Sequence, residues 1–252
     1  MVDTGAMPDP VVVNADPPTP DASRYAFVYG VKRTRETLRG WQDDRWRVLR
    51  RWFAGSFAIA VCLLLAVWAV AGVSNPTGLG VQTTSPPFAV GDFHDVLSIF
   101  GRNLLVLAFH ALACVAGFIA GSSLPLQAAH QKGVVRVIHE RGGTIAIGFV
   151  IGATTFSLSA QALVIGGDAA AVAVRLHTSP GVLLVTLLAH APLELTALFL
   201  PLAAWIIASR RGEWDQLLAA TFVTVVIALP MLFAAACIEV FVSPHLLRAM
   251  IG

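Results

Sequence analysis

Charged residues are scarce in this chain of 252 residues. Asp, Glu, Lys and Arg make up 13% of the sequence, whereas hydrophobic residues make up 56%. Soluble domains average about 25% charged residues, and the shortage here is concentrated after Trp52. This composition argues against an ordinary soluble domain and predicts an all-α, polytopic integral membrane protein.

Cysteine is rare as well, and the sequence carries no recognisable catalytic motif. The three cysteines, Cys62, Cys114 and Cys237, lie inside apolar stretches and have neither disulfide nor zinc-binding spacing. There is no Gly-rich nucleotide-binding loop and no Ser-His-acid arrangement. The sequence therefore predicts a protein that is not an enzyme, with no catalytic residue, no metal and no cofactor.

The N-terminal part is polar. Residues 1–21 contain five prolines and several acids but no apolar core, so we expect a disordered tail and not a signal peptide. Residues 22–51 are basic with interleaved aromatic residues, and helical spacing relates Trp41, Arg45, Val48 and Trp52. This pattern predicts a cytoplasmic amphipathic helix at the membrane interface, either a docking helix for a partner or an ordinary topology-setting flank. It does not favour nucleic acid as a partner.

Residues 52–252 are expected to form a domain of five membrane-spanning helices. At a rise of about 1.5 Å per residue, each long apolar stretch can cross a bilayer core of about 30 Å. The five stretches are residues 52–73, 102–126, 144–165, 180–211 and 217–242. Asp92 is expected to cap a short helix that lies in the interface ahead of the second span.

Lysine and arginine cluster on one side of the predicted spans. The segment before Trp52, residues 127–143 and residues 209–216 carry most of these cations. Cytoplasmic loops are enriched in Lys and Arg. The distribution therefore predicts a cytoplasmic N-terminus and a C-terminus outside.

The fourth span carries the most costly polar residues. His190 and Glu194 are four residues apart, so both lie on one face of a continuous helix, and we expect them near the middle of the membrane. An ionisable group there costs at least about 2.5 kcal/mol on the mildest insertion scale. We therefore expect this face to meet the bundle interior, a partner or a wet cavity. Pro192 and Pro201 are expected to kink the helix.

Three further polar residues lie inside apolar stretches, namely Asn103, His110 and Glu239. With His190 and Glu194, they are candidates for one intramembrane polar site between the outer surface and the midplane. Two interpretations remain open: a wet pocket or polar joint for a partner, and a structural network that holds helices together. His190 and Glu194 resemble a metal-binding pair only loosely, and such a site would need a further ligand, for which His110 is the candidate.

Two pairs of glycines have the small-xxx-small spacing that is typical of closely packed membrane helices. Gly117 and Gly121 lie in the second span, and Gly148 and Gly152 lie in the third. This spacing favours close helix packing within the chain. The alternative is a homodimer through the same faces.

The polar residues and their neighbours resemble one known family. Asn103 lies in the sequence FGRNLLV, His190 and Glu194 lie in HAPLELTA, and Glu239 and Pro244 lie in IEVFVSP. In order and membrane context, these residues are similar to the signature of the stage II sporulation protein M family (SpoIIM, also called DUF95). The resemblance implies a membrane protein of about five or six spans that acts as a non-catalytic anchor and recruits cell-wall hydrolases on the outer face.

Two functions agree with these observations. The first, which the resemblance favours, is a scaffold or assembly partner of a cell-envelope complex in the bacterial inner membrane. The alternative is a permease-like subunit of a transporter, energised by a separate ATPase because the chain has no nucleotide motif. The expected partners are the lipid bilayer and other membrane or envelope proteins, with an ATPase added in the alternative.

Cysteine labelling from either side of the membrane tests the topology. In a cysteine-free background, the thiol of Gly80→Cys should react with an impermeant maleimide added outside intact cells, because residue 80 lies in a predicted outer loop. The thiol of Glu213→Cys should react only after the membrane is opened. Labelling of residue 213 from outside would contradict the predicted orientation.

Overall fold

The computed structural model describes residues 22–74, 91–123 and 134–251. The described residues form helices joined by short turns and contain no strand. The helices are α1 (Ala22–Gly40), α2 (Arg45–Val73), α3 (Phe93–Phe118), α4 (Val134–Arg175), α5 (Pro180–Leu187), α6 (Ala191–Arg211), α7 (Leu217–Phe241) and α8 (Ser243–Ile251). A π-helical turn, Ile119–Ser123, follows α3, and a 3-10 turn, Trp214–Gln216, precedes α7.

Five helical segments are long and apolar enough to cross a membrane, which confirms the predicted all-α polytopic fold. They are Arg45–Val73, Phe93–Gly121, Ile147–Arg175, Ala191–Arg211 and Trp214–Ile251. The last segment includes α8, so the chain after residue 242 continues as a helix. The predicted tail at residues 1–21 lies outside the described residues.

Helix α6 occupies the centre of the bundle. It packs against α2, α3 and α7, and 61% of the 18-residue apolar window in its spanning segment is buried. Two side chains from neighbouring helices donate hydrogen bonds to its backbone: Ser56 Oγ to the Thr196 carbonyl and Cys114 Sγ to the Pro201 carbonyl, at 3.1 Å for the latter. The helix continues through Pro201 and ends at Gly212, whose φ of 68° is the left-handed conformation that glycine favours.

Helix α4 lies at the periphery. Within its spanning segment, Ile147–Arg175, only 6% of the 18-residue apolar window is buried. It contacts α2 and α5, and a Cβ added at Gly166 would overlap the side chain of Val70. This helix is longer than the predicted span of residues 144–165, and it takes up most of the predicted loops on both sides. Residues 127–133 of the loop before it lie outside the described residues.

The N-terminal amphipathic segment is not one helix, so the predicted helical run from Trp41 to Trp52 is wrong. Helix α1 ends at Gly40, a poor helix former, and a turn at residues 41–44 leads into α2. The turn brings the Trp41 ring edge-on to Trp52, with 5.1 Å between ring centroids. Helix α1 folds back beside α7, where Arg33 forms an ion pair of 3.3 Å with Asp215.

Asp92 caps α3 as predicted. Its Oδ1 accepts from the Asp95 N–H at 3.0 Å, and Asp95 Oδ2 accepts from the Asp92 N–H at 2.9 Å, which completes a capping box. The predicted separate interfacial helix is wrong, because α3 runs unbroken from Phe93 to Phe118. This stretch contains no proline, and its two glycines, Gly101 and Gly117, are tolerated within a helix.

The two glycine pairs behave differently. A Cβ on Gly117 would overlap Trp205 and Leu217, and a Cβ on Gly121 would overlap Trp214. These two glycines therefore allow close packing within the chain. At Gly148 and Gly152 an added Cβ meets nothing within 4 Å among the described residues, so this pair serves no packing contact inside the described fold.

Gly117→Ala and Gly148→Ala form a matched test of this packing. Alanine improves helix propensity by about 1 kcal/mol at either site, but at Gly117 it must displace the buried Trp205. We expect Gly117→Ala to lower the free energy of unfolding by about 1–3 kcal/mol, as overpacking does. Gly148→Ala should leave it unchanged or raise it. Thermal unfolding in mild detergent measures both, and equal melting temperatures would contradict the packing described.

Candidate functional site

The fourth apolar stretch is broken ahead of its polar residues. The prediction of one continuous helix over residues 180–211 is wrong: α5 ends at Leu187, a turn covers residues 188–190, and α6 begins at Ala191. Pro192 explains the break. In a continuous helix its ring would clash with the Leu188 carbonyl and its nitrogen could not donate to that oxygen. In the first turn of a new helix the missing N–H costs nothing.

The break changes where the polar residues lie along the span. Helix α6 alone has 21 residues, which is about 31 Å and sufficient to cross a bilayer core. His190 occupies the N-cap position and Glu194 lies in the first turn, at the end opposite Arg210 and Arg211. These two residues are therefore at one end of a spanning helix, whereas the continuous helix placed them in its middle.

Three side chains converge at this end. One ligating atom each from His190, Glu194 and Glu239 lies within 4.8 Å of the other two. Asn103 Nδ2 donates to Glu194 Oε1 at 2.8 Å. The cluster thus joins the start of α6 to α3 and to the end of α7. His190 is 5% exposed, and the other three residues are partly buried.

His110 does not join the cluster. Its Nδ1 lies 3.0 Å from the Val106 carbonyl oxygen one turn earlier on α3, and its ring packs edge-on against Phe199. Four of the five residues predicted for the polar site therefore lie together in the described structure, and His110 lies apart from them. His110 lies two turns further along α3 than Asn103, too far for the two side chains to reach one cluster.

The comparisons with known proteins agree with the sequence resemblance. Residues 141–244, about two fifths of the chain, match the family model described as Stage II sporulation protein M. This part of the chain is similar to the SpoIIM family. The matched residues run from α4 to α8 and include His190, Glu194 and Glu239, whereas Asn103 precedes them. No curated protein and no solved structure matches the chain.

Ser243 is a further member of the polar cluster, and the sequence analysis does not predict it. His190 Nδ1 lies 2.9 Å from Ser243 Oγ, and the same hydroxyl donates to the Ile238 carbonyl oxygen at 3.4 Å. The available signal was its position at the start of a helix, directly before Pro244 and four residues after Glu239. With Ser243, the site connects α3, α6, α7 and α8.

The cluster has an excess of groups that can carry negative charge. Glu194 and Glu239 interact electrostatically with each other, and the exposed Arg102 attracts both carboxyl groups. A second group of possible ligands, Asp92, His94 and Asp95, is exposed. Its two carboxylates already serve the capping box of α3, so it is explained by local structure.

Asn103→Ala tests the hydrogen bond to Glu194. Removing this donor should lower the free energy of unfolding by about 1.5–3 kcal/mol, the range for hydrogen bonds to charged groups. Gln161→Ala is the matched control, because its exposed amide donates only to Ser157 on its own helix. Melting temperatures in detergent compare the two. A loss at Asn103 no larger than that at Gln161 would show that this bond does not hold the helices together.

Proposed function

We propose that this protein is a non-enzymatic scaffold, an assembly partner of a cell-envelope complex in the bacterial inner membrane. The observation that supports this most directly is the uncovered face of α4. Among the five spanning segments, α4 is both the least buried and the least apolar. A helix that faced lipid alone would gain from greater hydrophobicity, so this combination favours a protein partner.

The uncovered face carries small and polar residues in one stripe. Gly148, Gly152, Thr155 and Ser159 follow the spacing of a single helix face. The two glycines have no neighbour among the described residues, and Thr155 Oγ1 donates only to the Ile151 carbonyl, at 2.9 Å. Such stripes let a second helix approach closely and bond through hydroxyl groups. We therefore assign this stripe as the contact with a membrane helix of the partner.

Site-specific photocrosslinking in intact cells tests this contact. A photoreactive residue at Gly152 or Ser159 should give a discrete protein adduct, identified by mass spectrometry. Gly72 on α2 is the matched control, because a Cβ there also meets nothing within 4 Å. An adduct with the mass of two chains identifies a homodimer, and an adduct with an envelope protein identifies the scaffold. Adducts with lipid alone at all three positions would overturn the proposal.

A transporter subunit is the second candidate, and the broken fourth span favours it. Discontinuous helices with polar side chains at the break form the substrate and ion sites of many transporters. The energy would come from a separate ATPase, for which the exposed basic face of α1 is the docking surface. Arg35 and Arg39 lie on this face and are exposed.

Charge reversal on α1 separates the two candidates. If the protein is a transporter subunit, an ATPase should purify with it in a stoichiometric amount, and Arg35→Glu with Arg39→Glu should release that ATPase at least tenfold. The scaffold requires no such partner. Asp43→Lys, in the exposed turn after α1, is a control for surface charge. Absence of any ATPase from the purified complex would contradict the transporter.

A further inference from the structure

We propose that His190, Glu194 and Glu239 form a binding site for a divalent transition-metal cation of the Zn²⁺ or Mn²⁺ class. Neither the scaffold nor the transporter proposal requires such a site. The inference depends only on the polar cluster at the start of α6 and is independent of the uncovered face of α4.

The geometry of the three side chains suits a metal. Their ligating atoms lie within 4.8 Å of one another. Zinc binds nitrogen and oxygen at about 2.0–2.2 Å, so the donor atoms of a tetrahedral site are about 3.4 Å apart. Side-chain movements of about an ångström would therefore close the site round an ion. His190 and Glu194 come from one end of α6 and Glu239 comes from α7, and a bound metal would tie these two helices together.

Charge also favours a dication. Two carboxylates and a neutral imidazole carry a total charge of −2, which a divalent ion cancels. In a partly buried environment the two carboxylates would otherwise repel each other strongly. Arg102 is a nearby cation that attracts both carboxyl groups, but its side chain is exposed and is not one of the three clustered groups. Without a metal, the repulsion within the cluster would be relieved by a proton, on a carboxyl group or on the imidazole.

The surrounding hydrogen bonds orient the ligands as metal sites require. Asn103 engages Oε1 of Glu194, which leaves Oε2 for an ion. The Ser243 hydroxyl donates to the Ile238 carbonyl, so it accepts from Nδ1–H of His190. This tautomer leaves the lone pair on Nε2, the atom that a metal needs. Outer-shell bonds of this kind set the tautomer and the ring orientation of metal-binding histidines.

The mixture of ligands decides the class of ion. One imidazole nitrogen and two carboxylate oxygens suit Zn²⁺, Mn²⁺ and similar transition metals. Ca²⁺ takes six to eight oxygen ligands and Mg²⁺ keeps most of its water, so neither fits a site with a histidine and two carboxyl groups. Three protein ligands leave the fourth position of a tetrahedral ion for water.

Metal titration of the purified full chain tests the site. The protein in detergent is stripped with a chelator, desalted and titrated with ZnCl₂ or MnCl₂, and bound metal is measured by mass spectrometry. We expect one equivalent of metal and a rise of several degrees in the melting temperature, with no comparable effect of MgCl₂ or CaCl₂. No bound equivalent of either metal would overturn the proposal.

Substitutions locate the metal. Glu239→Gln keeps the size of the side chain, and we expect it to weaken binding at least tenfold, as we expect of His190→Ala. Asn103→Ala should weaken binding by about 10- to 100-fold, the effect of removing an outer-shell partner, with one equivalent still bound at saturation. His94→Ala is the matched control from the exposed group near Asp92. Loss of metal in His94→Ala, or its retention in Glu239→Gln, would refute the assignment.

A spectroscopic measurement covers the case in which the variants fail to fold. X-ray absorption of the zinc-loaded wild-type protein should show a first shell of nitrogen and oxygen at about 2.0–2.2 Å, with the outer-shell scattering of one imidazole ring. A shell without imidazole scattering, or one with sulfur from a cysteine, would exclude this cluster as the site.

Discussion

A polar side chain inside a membrane domain must find its partners in the protein, because hydrocarbon offers none. The hydrogen bond from Asn103 to Glu194 meets this requirement and sets much of the arrangement. It fixes α3 against the start of α6, and Glu239 and Ser243 extend the same cluster to α7 and α8. Four helices, α3, α6, α7 and α8, are therefore tied at one end of the bundle. Along the rest of their length, apolar and small side chains such as Gly117 permit the close packing.

Burial decreases from the centre of the bundle to its edge. Helix α6 is covered on most sides by α2, α3 and α7, whereas α4 touches the remainder of the described fold mainly through α2 and α5. In water such an uncovered helix would expose a large apolar surface, but in a bilayer lipid covers it without cost. Lipid does not supply the close helix contact that the glycine stripe of α4, Gly148 and Gly152, allows. The gradient of burial thus separates the well-buried centre around α6 from the uncovered face of α4.

The residues of the site could be identified from sequence, but their arrangement could not. Polar groups within apolar stretches are costly to insert into a membrane, so those that occur usually have a structural or functional role. This criterion identifies Asn103, His190, Glu194 and Glu239. His110 met the same criterion, yet a carbonyl of its own helix and an aromatic ring account for it. Ser243 did not stand out, since a serine before a proline is common at helix starts. Pro192 predicts a kink in one continuous helix. In the structure one helix ends at Leu187 and another begins at Ala191.

Hydrophobicity along the chain determined that the protein is a helical membrane protein with five spans, because insertion depends on stretches of about 20 residues that can be read in one dimension. The order of polar residues also predicted a resemblance to the SpoIIM family, whose model matches residues 141–244. Only the tertiary structure decided which of these residues meet, which glycine pair is used for packing and where the fourth span begins. Those outcomes depend on contacts between residues far apart in the sequence, such as that of Ser56 with Thr196, 140 residues later, and no local pattern records them.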